Sequence, residues 1–234
     1  MAIVIGIPVI TFLEMTRAVK IWQWSHQQYS LADCLITMHE VINLGMMLIP
    51  FIVFASFYIF RYENRAEIVI KSKKRSKIWN QIMIKRIFLA CLVSAYIMVF
   101  EMLFGMLMSN RYINWDEKVS LFATKTDGVT RSIGFLAVVI LCYVVYVLKL
   151  CFMFFISALL EKKYVVLGIV IGIPGIEYFC RDVPVKLFYK LAGLSYQDWV
   201  CTKNIVIGIL WLLTLCTLVW AAGMYRMKKK DFYG

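Results

Sequence analysis

Long apolar runs, each close to the length of a bilayer crossing, alternate along this chain with short stretches rich in lysine and arginine. A helix needs about 20 mostly apolar residues to cross the hydrocarbon core. Residues 41–60, 87–108, 133–160, 164–180 and 205–225 meet that requirement. The 133–160 run is longer than a crossing needs, which predicts tilt or a break, and 164–180 carries Pro174. The amino-terminal run, 1–14, is apolar as far as Leu13 and then meets Glu14 and Arg17. It has no basic segment ahead of it and no small-residue cleavage site, so a short first span is expected rather than a signal peptide. The pattern predicts an all-α integral membrane fold: six transmembrane helices in a single domain, 1–234.

Composition strengthens this reading. The chain is 62% hydrophobic and 17% charged, with a mean hydropathy of +0.76. Soluble domains average about 45–50% apolar and about 25% charged residues. The net charge of +12 does not point to nucleic acid, because the basic residues flank the apolar runs. Segments 61–86, 161–163 and 226–234 hold fifteen Lys and Arg in 38 residues. The alternate loops 14–40, 109–132 and 181–204 hold ten in 75 residues, with eight acids. Dense positive charge marks cytoplasmic loops, so both termini are expected inside. The outer loops carry aromatics, among them Trp22, Trp24, Tyr29 and Trp115, and 184–199 has apolar residues at helical spacing. These are expected to form short interfacial helices along the outer surface.

Motifs for chemistry are sparse. There is no Gly-Lys dipeptide and hence no P-loop, no H-E-x-x-H and no G-x-S-x-G. The two histidines, His26 and His39, are too few for a metal centre, and the seven cysteines contain no C-x-x-C. Cys180 and Cys201 bracket one loop and could pair. The chain is therefore not expected to be an enzyme and is expected to bind no cofactor or metal itself. Glu177 falls inside the 164–180 run but far in sequence from Glu101, with no histidine at membrane depth for intramembrane proteolysis; two further ionisable groups, Glu101 and Lys149, also fall inside apolar runs. Such groups face a bundle interior or a wet cavity and suggest a polar translocation path, with simple structural pairing or snorkelling as the alternative. Gly168-x-x-x-Gly172 permits close helix approach, within the chain or at a dimer interface. In 61–86, the spacing of Ile78, Trp79, Ile82 and Met83 puts an apolar stripe on one helical face.

The layout resembles the type-2 ATP-binding-cassette (ABC) export permeases. The likeness lies in six spans, a long basic loop between the second and third, and a tight turn between the fourth and fifth. It extends to Phe60-Arg61-Tyr62-Glu63-Asn64, then Lys74-Arg75-Ser76-Lys77, then Lys85, and to a Lys228-Lys229-Lys230-Asp231-Phe232 tail. Family members usually open with a cytoplasmic amphipathic helix, whereas this sequence opens in apolar residues at Met1. The resemblance implies a bacterial plasma-membrane permease subunit pairing with a second permease, identical or related. Two cytosolic ATPase subunits would carry ATP and Mg. Glu63, Glu67, Arg75, Lys77 and Trp79 would form the ATPase-coupling surface, and Gly168 and Gly172 the dimer interface. Peptides or antimicrobials are the cargo it suggests. A non-transporting membrane scaffold or sensor is the alternative.

Overall fold

The computed structural model describes residues 2–60, 75–160, 162–179 and 194–229. Glu63, Glu67, Cys180 and most of the basic tail, all named above, lie outside the described residues. The chain is almost entirely helical, and no strand occurs among the described residues. In chain order the helices are α1 (Ala2–Trp24), α2 (Leu31–Met38), a π-helix (Val41–Leu48), α3 (Ile49–Ile59), α4 (Arg75–Met108) and α5 (Leu121–Lys125). They are followed by α6 (Phe135–Leu159), α7 (Lys163–Phe179), α8 (Tyr196–Val200) and α9 (Thr202–Lys229).

Among the described residues, four stretches are long and apolar enough to cross a bilayer: Ile42–Ile59, Lys77–Met108, Phe135–Leu159 and Lys203–Met227. They make this a multi-pass membrane chain. Their outward faces carry large apolar side chains, such as Phe88, Leu136, Leu210 and Leu218, each more than half exposed. That surface is unfavourable in water and suited to lipid. The other two expected spans correspond to α1, 23 residues long with Glu14, Arg17 and Lys20 in its second half, and to α7, 17 residues long.

Helix α4 begins twelve residues before the expected start of its span, at Arg75 rather than residue 87. No Pro or Gly interrupts it before Gly105, so the helix continues beyond its membrane-spanning part. The apolar stripe lies on this extension: Ile78, Trp79, Ile82 and Met83 are all buried. The Trp79 indole N–H donates to Trp220 O of α9 at 3.0 Å. Nearby, two arginines cap the carboxyl end of α6. Arg86 donates to Phe154 O and Ser157 Oγ at 2.5 Å each, and Arg226 donates to Leu159 O. Arg226 thereby meets an otherwise unpaired last carbonyl, and both guanidinium groups lie at the negative end of the helix dipole.

At the opposite end, three loops fold together into a cap. Leu31 N and Ala32 N donate to Arg111 O and Tyr112 O, Leu121 N donates to Gln28 O, and Gln197 Nε2 donates to Lys125 O. Its short helices each start at a serine. The Ser30 and Ser195 backbone N–H groups donate to Asp33 and Asp198, three residues on, while Ser120 Oγ accepts from Ala123 N. After α5, Asp127 and Gly128 turn the chain through positive φ, 55° and 86°. The cap has its own aromatic core. Trp115 stacks on Phe122 at 4.5 Å and meets Trp199 edge-on at 5.4 Å, with both indoles fully buried. The expectation that these aromatics lie along the membrane surface is corrected here for Trp115 and Trp199. Burial among protein aromatics outcompetes the interface once three loops converge.

Candidate functional site

Where the cap meets the spans, a set of ionisable and hydroxyl side chains is sealed inside the protein. Asp33, on α2, anchors the cap side. Its carboxylate accepts from Ser30 N and Ser30 Oγ at 2.8 and 2.7 Å, and from the Trp115 indole at 3.0 Å. Burial pushes its pKa up to about 6, against the opposing effect of those hydrogen bonds. The Tyr196 hydroxyl sits close by, and burial raises its pKa well above the ordinary tyrosine value. Burial also lifts the neighbouring Cys34 thiol to about 12, with the Asp33 carboxylate adding to the effect. That thiol is thus an unreactive core group.

His39 follows α2 and points into the bundle, with only 1% of its surface exposed. Its ring lies 4.0 Å from that of Tyr146 on α6. Neither ring nitrogen has a hydrogen-bond partner among the described residues. Burial, followed by the nearby Lys149 ammonium, holds its pKa well below the usual histidine range, so the imidazole is neutral. The Tyr146 hydroxyl in turn donates to Glu101 Oε1 on α4, and both side chains are fully buried. The second carboxyl oxygen, Glu101 Oε2, has no hydrogen-bond partner among the described residues, nor has Ser94 Oγ two turns earlier on α4.

Lys149 lies one turn beyond Tyr146 and is also fully buried. It is within electrostatic reach of Glu177 on α7, Asp198 on α8 and Cys142 on its own helix. The two sequence-predicted intramembrane groups therefore enter one polar cluster. Tyr146 engages Glu101, while Lys149 faces the carboxylates of α7 and α8. His39, Tyr146 and Glu177 complete the cluster; sequence reasoning set Glu177 aside for its distance from Glu101 and missed the other two. A tyrosine or histidine beside an apolar run carries no signal of its own until the helices are packed.

The remaining predicted residues lie elsewhere. Lys77 is exposed near the start of α4, Arg75 is the first residue of that helix, and Trp79 is turned inward onto α9. Gly168 and Gly172 share an open face of α7, where a Cβ added to either would meet nothing within 4 Å.

Buried polar groups left unmatched are rare in folded proteins and mark sites that take up water, protons or a ligand. The cluster combines carboxyl, phenol, imidazole and ammonium groups inside a membrane bundle, where ionisable residues are expensive and usually functional. The described residues hold no group of His, Cys, Asp and Glu arranged to bind a metal ion. Against known proteins, the chain matches no family model, no curated protein and no solved structure.

Proposed function

We propose that this chain is the membrane permease subunit of an ATP-driven exporter of the ABC type. In this reading it crosses a bacterial plasma membrane six times with both termini in the cytoplasm, and α1 and α7 supply the two spans beyond the four. It pairs with a second permease subunit and with two cytosolic ATPases that hold ATP and Mg, and it moves a peptide or antimicrobial cargo. The observation that carries a transport role is the buried cluster of Glu101, Tyr146, His39, Lys149 and Glu177 at the heart of the bundle. A membrane protein that only needed to fold would be more stable with apolar groups there. Two further features support the reading. The three acid-bearing loops converge on one cap, and the basic segments adjoin the other end, as an alternating six-span topology requires. The start of α4 carries the second half of the basic segment and is locked to the end of α9 through Trp79, so a push on that segment reaches the last span.

The test is co-purification of the chain with the ATPase expressed alongside it, followed by cargo-stimulated ATP hydrolysis. Glu63→Ala combined with Glu67→Ala should uncouple or release the ATPase while the permease stays folded in the membrane. Retained co-purification and full stimulation in that double variant would show that these residues do not couple. Failure of the unmodified chain to associate with any ATPase would favour the scaffold or sensor role.

A further inference from the structure

Where the loop after α1 meets the loop after α4, a polar pocket of about 260 Å3 opens on the cap. Four carboxamide side chains line it, Gln27, Gln28, Asn110 and Asn114, together with Tyr29 and Arg111. Two of these residues already have partners. The Tyr29 hydroxyl donates to Met108 O at 2.8 Å and accepts from Gln23 Nε2 at 3.2 Å, and Arg111 is ion-paired with Glu117. Asn114 differs. Only 2% of it is exposed, its Nδ2 donates to Gln28 O at 3.3 Å, and its Oδ1 has no hydrogen-bond partner among the described residues. A backbone carbonyl can only accept, so that contact fixes the amide with its oxygen as the bare end. A buried carbonyl oxygen without a donor is costly, and this one calls for a guest that brings an O–H or N–H.

Charge and size narrow the choice of guest. Arg111 and Glu117 neutralise each other, so an anionic or zwitterionic guest would have to break their pair. Each carboxamide offers both a donor and an acceptor, which suits an uncharged guest that offers both in return. The volume lies below the roughly 300–1,000 Å3 of pockets that enclose drug-sized ligands, so the guest is a single small unit. A hexose ring, uncharged and ringed with hydroxyls, meets these terms. A second pocket, of about 180 Å3, adjoins the first and shares Asn110 and Arg111 with it. Leu31 and Met106 give it an apolar side, and Met106 belongs with Leu103 and Leu107 to an exposed face of α4. Met108 closes the Lys77–Met108 span, so both pockets sit at headgroup depth on the cap side. A polar pocket that opens onto an apolar, lipid-facing one fits an amphiphile better than a free solute.

We propose that the paired pockets bind a glycolipid whose headgroup is one uncharged sugar, a hexosyl diacylglycerol. One ring hydroxyl donates to Asn114 Oδ1, and the others exchange hydrogen bonds with the Gln27 and Asn110 carboxamides. The acyl chains leave past Leu31 and Met106 and follow α4 into the bilayer. This assignment rests on the membrane location of the chain and not on the exporter reading.

The experiment is native mass spectrometry of the full chain released from nanodiscs of equal glucosyl diacylglycerol, phosphatidylcholine and phosphatidylglycerol with matched acyl chains. Retained glucosyl lipid should exceed each phospholipid by about fivefold, the yield of one uncharged hydrogen bond. Asn114→Ala should remove the preference. Because that change reaches into the cap, Gln27→Ala with Asn110→Ala, at two less buried positions, provides a second test and should lower the preference by about half or more. Glu117→Gln frees Arg111 and should shift retention towards phosphatidylglycerol. Lys118→Gln, exposed in the same loop and outside the pocket, should leave the preference unchanged. Equal retention of the three lipids, or a preference that survives both Asn114→Ala and the double variant, overturns the site. Displacement of the glycolipid by methyl glucoside, or by an uncharged capped dipeptide, at the lipid's own concentration makes the guest a free solute and overturns the lipid assignment.

Discussion

The contact between Gly223 and Trp79 offers the sharpest test of how the last span is held. A Cβ built on Gly223 falls 1.8 Å from Trp79 Cζ2 and 2.3 Å from Cε2 and Cη2. Carbon atoms pack best at about 3.5–4.0 Å, so Gly223→Ala forces the indole back by about 2 Å. The ring has little room to retreat, being 3% exposed and tied to Trp220 O through its N–H. Overpacking of this kind costs about 1–3 kcal/mol, and loss of the indole hydrogen bond adds about 1 kcal/mol. Gly223→Ala should therefore destabilise the protein by about 2–4 kcal/mol in reversible unfolding by sodium dodecyl sulfate in mixed micelles. Trp79→Leu alone should also destabilise, through the cavity it leaves. The double variant should be more stable than the sum of the two losses, because the new methyl occupies space the indole vacated. A Gly223→Ala change within about 0.5 kcal/mol of wild type, or strict additivity in the double variant, would refute the reasoning.

Tyr146→Phe removes the hydroxyl that donates to Glu101 Oε1, while Glu101 Oε2 has no hydrogen-bond partner among the described residues, and should cost about 1–3 kcal/mol in the same assay. Adding Glu101→Leu should recover most of that loss, and an unaffected Tyr146→Phe protein would show that the hydrogen bond is not stabilising. Because the Asp33 pKa rises from 3.8 to about 6 on folding, the folded state holds that proton more tightly. Its contribution is greatest below the unfolded value and falls as pH climbs through about 6. Melting of wild type against Asp33→Asn in detergent at about pH 4 and about pH 7 isolates this slope from the opposite one of His39, and a wild-type advantage growing with pH contradicts it. Gly168→Leu or Gly172→Leu should weaken subunit association in crosslinking while leaving monomer melting unchanged, since a Cβ added at either position meets no other part of the chain within 4 Å; lowered monomer stability would place the face inside the chain. Cysteine introduced at Asp116 or Asp198 on a cysteine-free background should label from outside intact cells, and labelling only after permeabilisation would invert the topology.

Much of the architecture is legible in the sequence because membrane spans are written in composition over some twenty residues. The stripe of Ile78, Trp79, Ile82 and Met83 is likewise a local periodicity, and the structure places all four on one buried helical face. What that face packs against is not local, since Trp220 lies 141 residues away. The cap shows the same division. Its helix starts at Ser30, Ser120 and Ser195 are short-range capping signals, two of them with Asp three residues later, and were available to sequence reasoning. The meeting of Trp115 with Trp199 was not, because an aromatic near a span end reads equally well as an interface anchor. Glu101 and Lys149 stood out as charges in apolar runs. His39 did not, as its role depends on a ring 107 positions further along the chain.

The π-helix preceding α3 bears on which length changes this chain can tolerate. Ile49 N donates to Leu44 O, five residues back, so each such bond encloses one residue more than an α-helical bond does. Pro50 then falls in the first turn of α3, where its missing N–H is harmless. Deleting one residue elsewhere in this span would rotate everything beyond it by about 100°. Ile49, Ile52, Val53 and Ser56, all buried, would then turn away from the core. Deleting one within 41–48 lets the backbone settle into ordinary α-helical register with both flanks still facing as they do now. Single-residue deletions that preserve the fold should therefore gather in those eight residues, as the slack in an otherwise rigidly phased span.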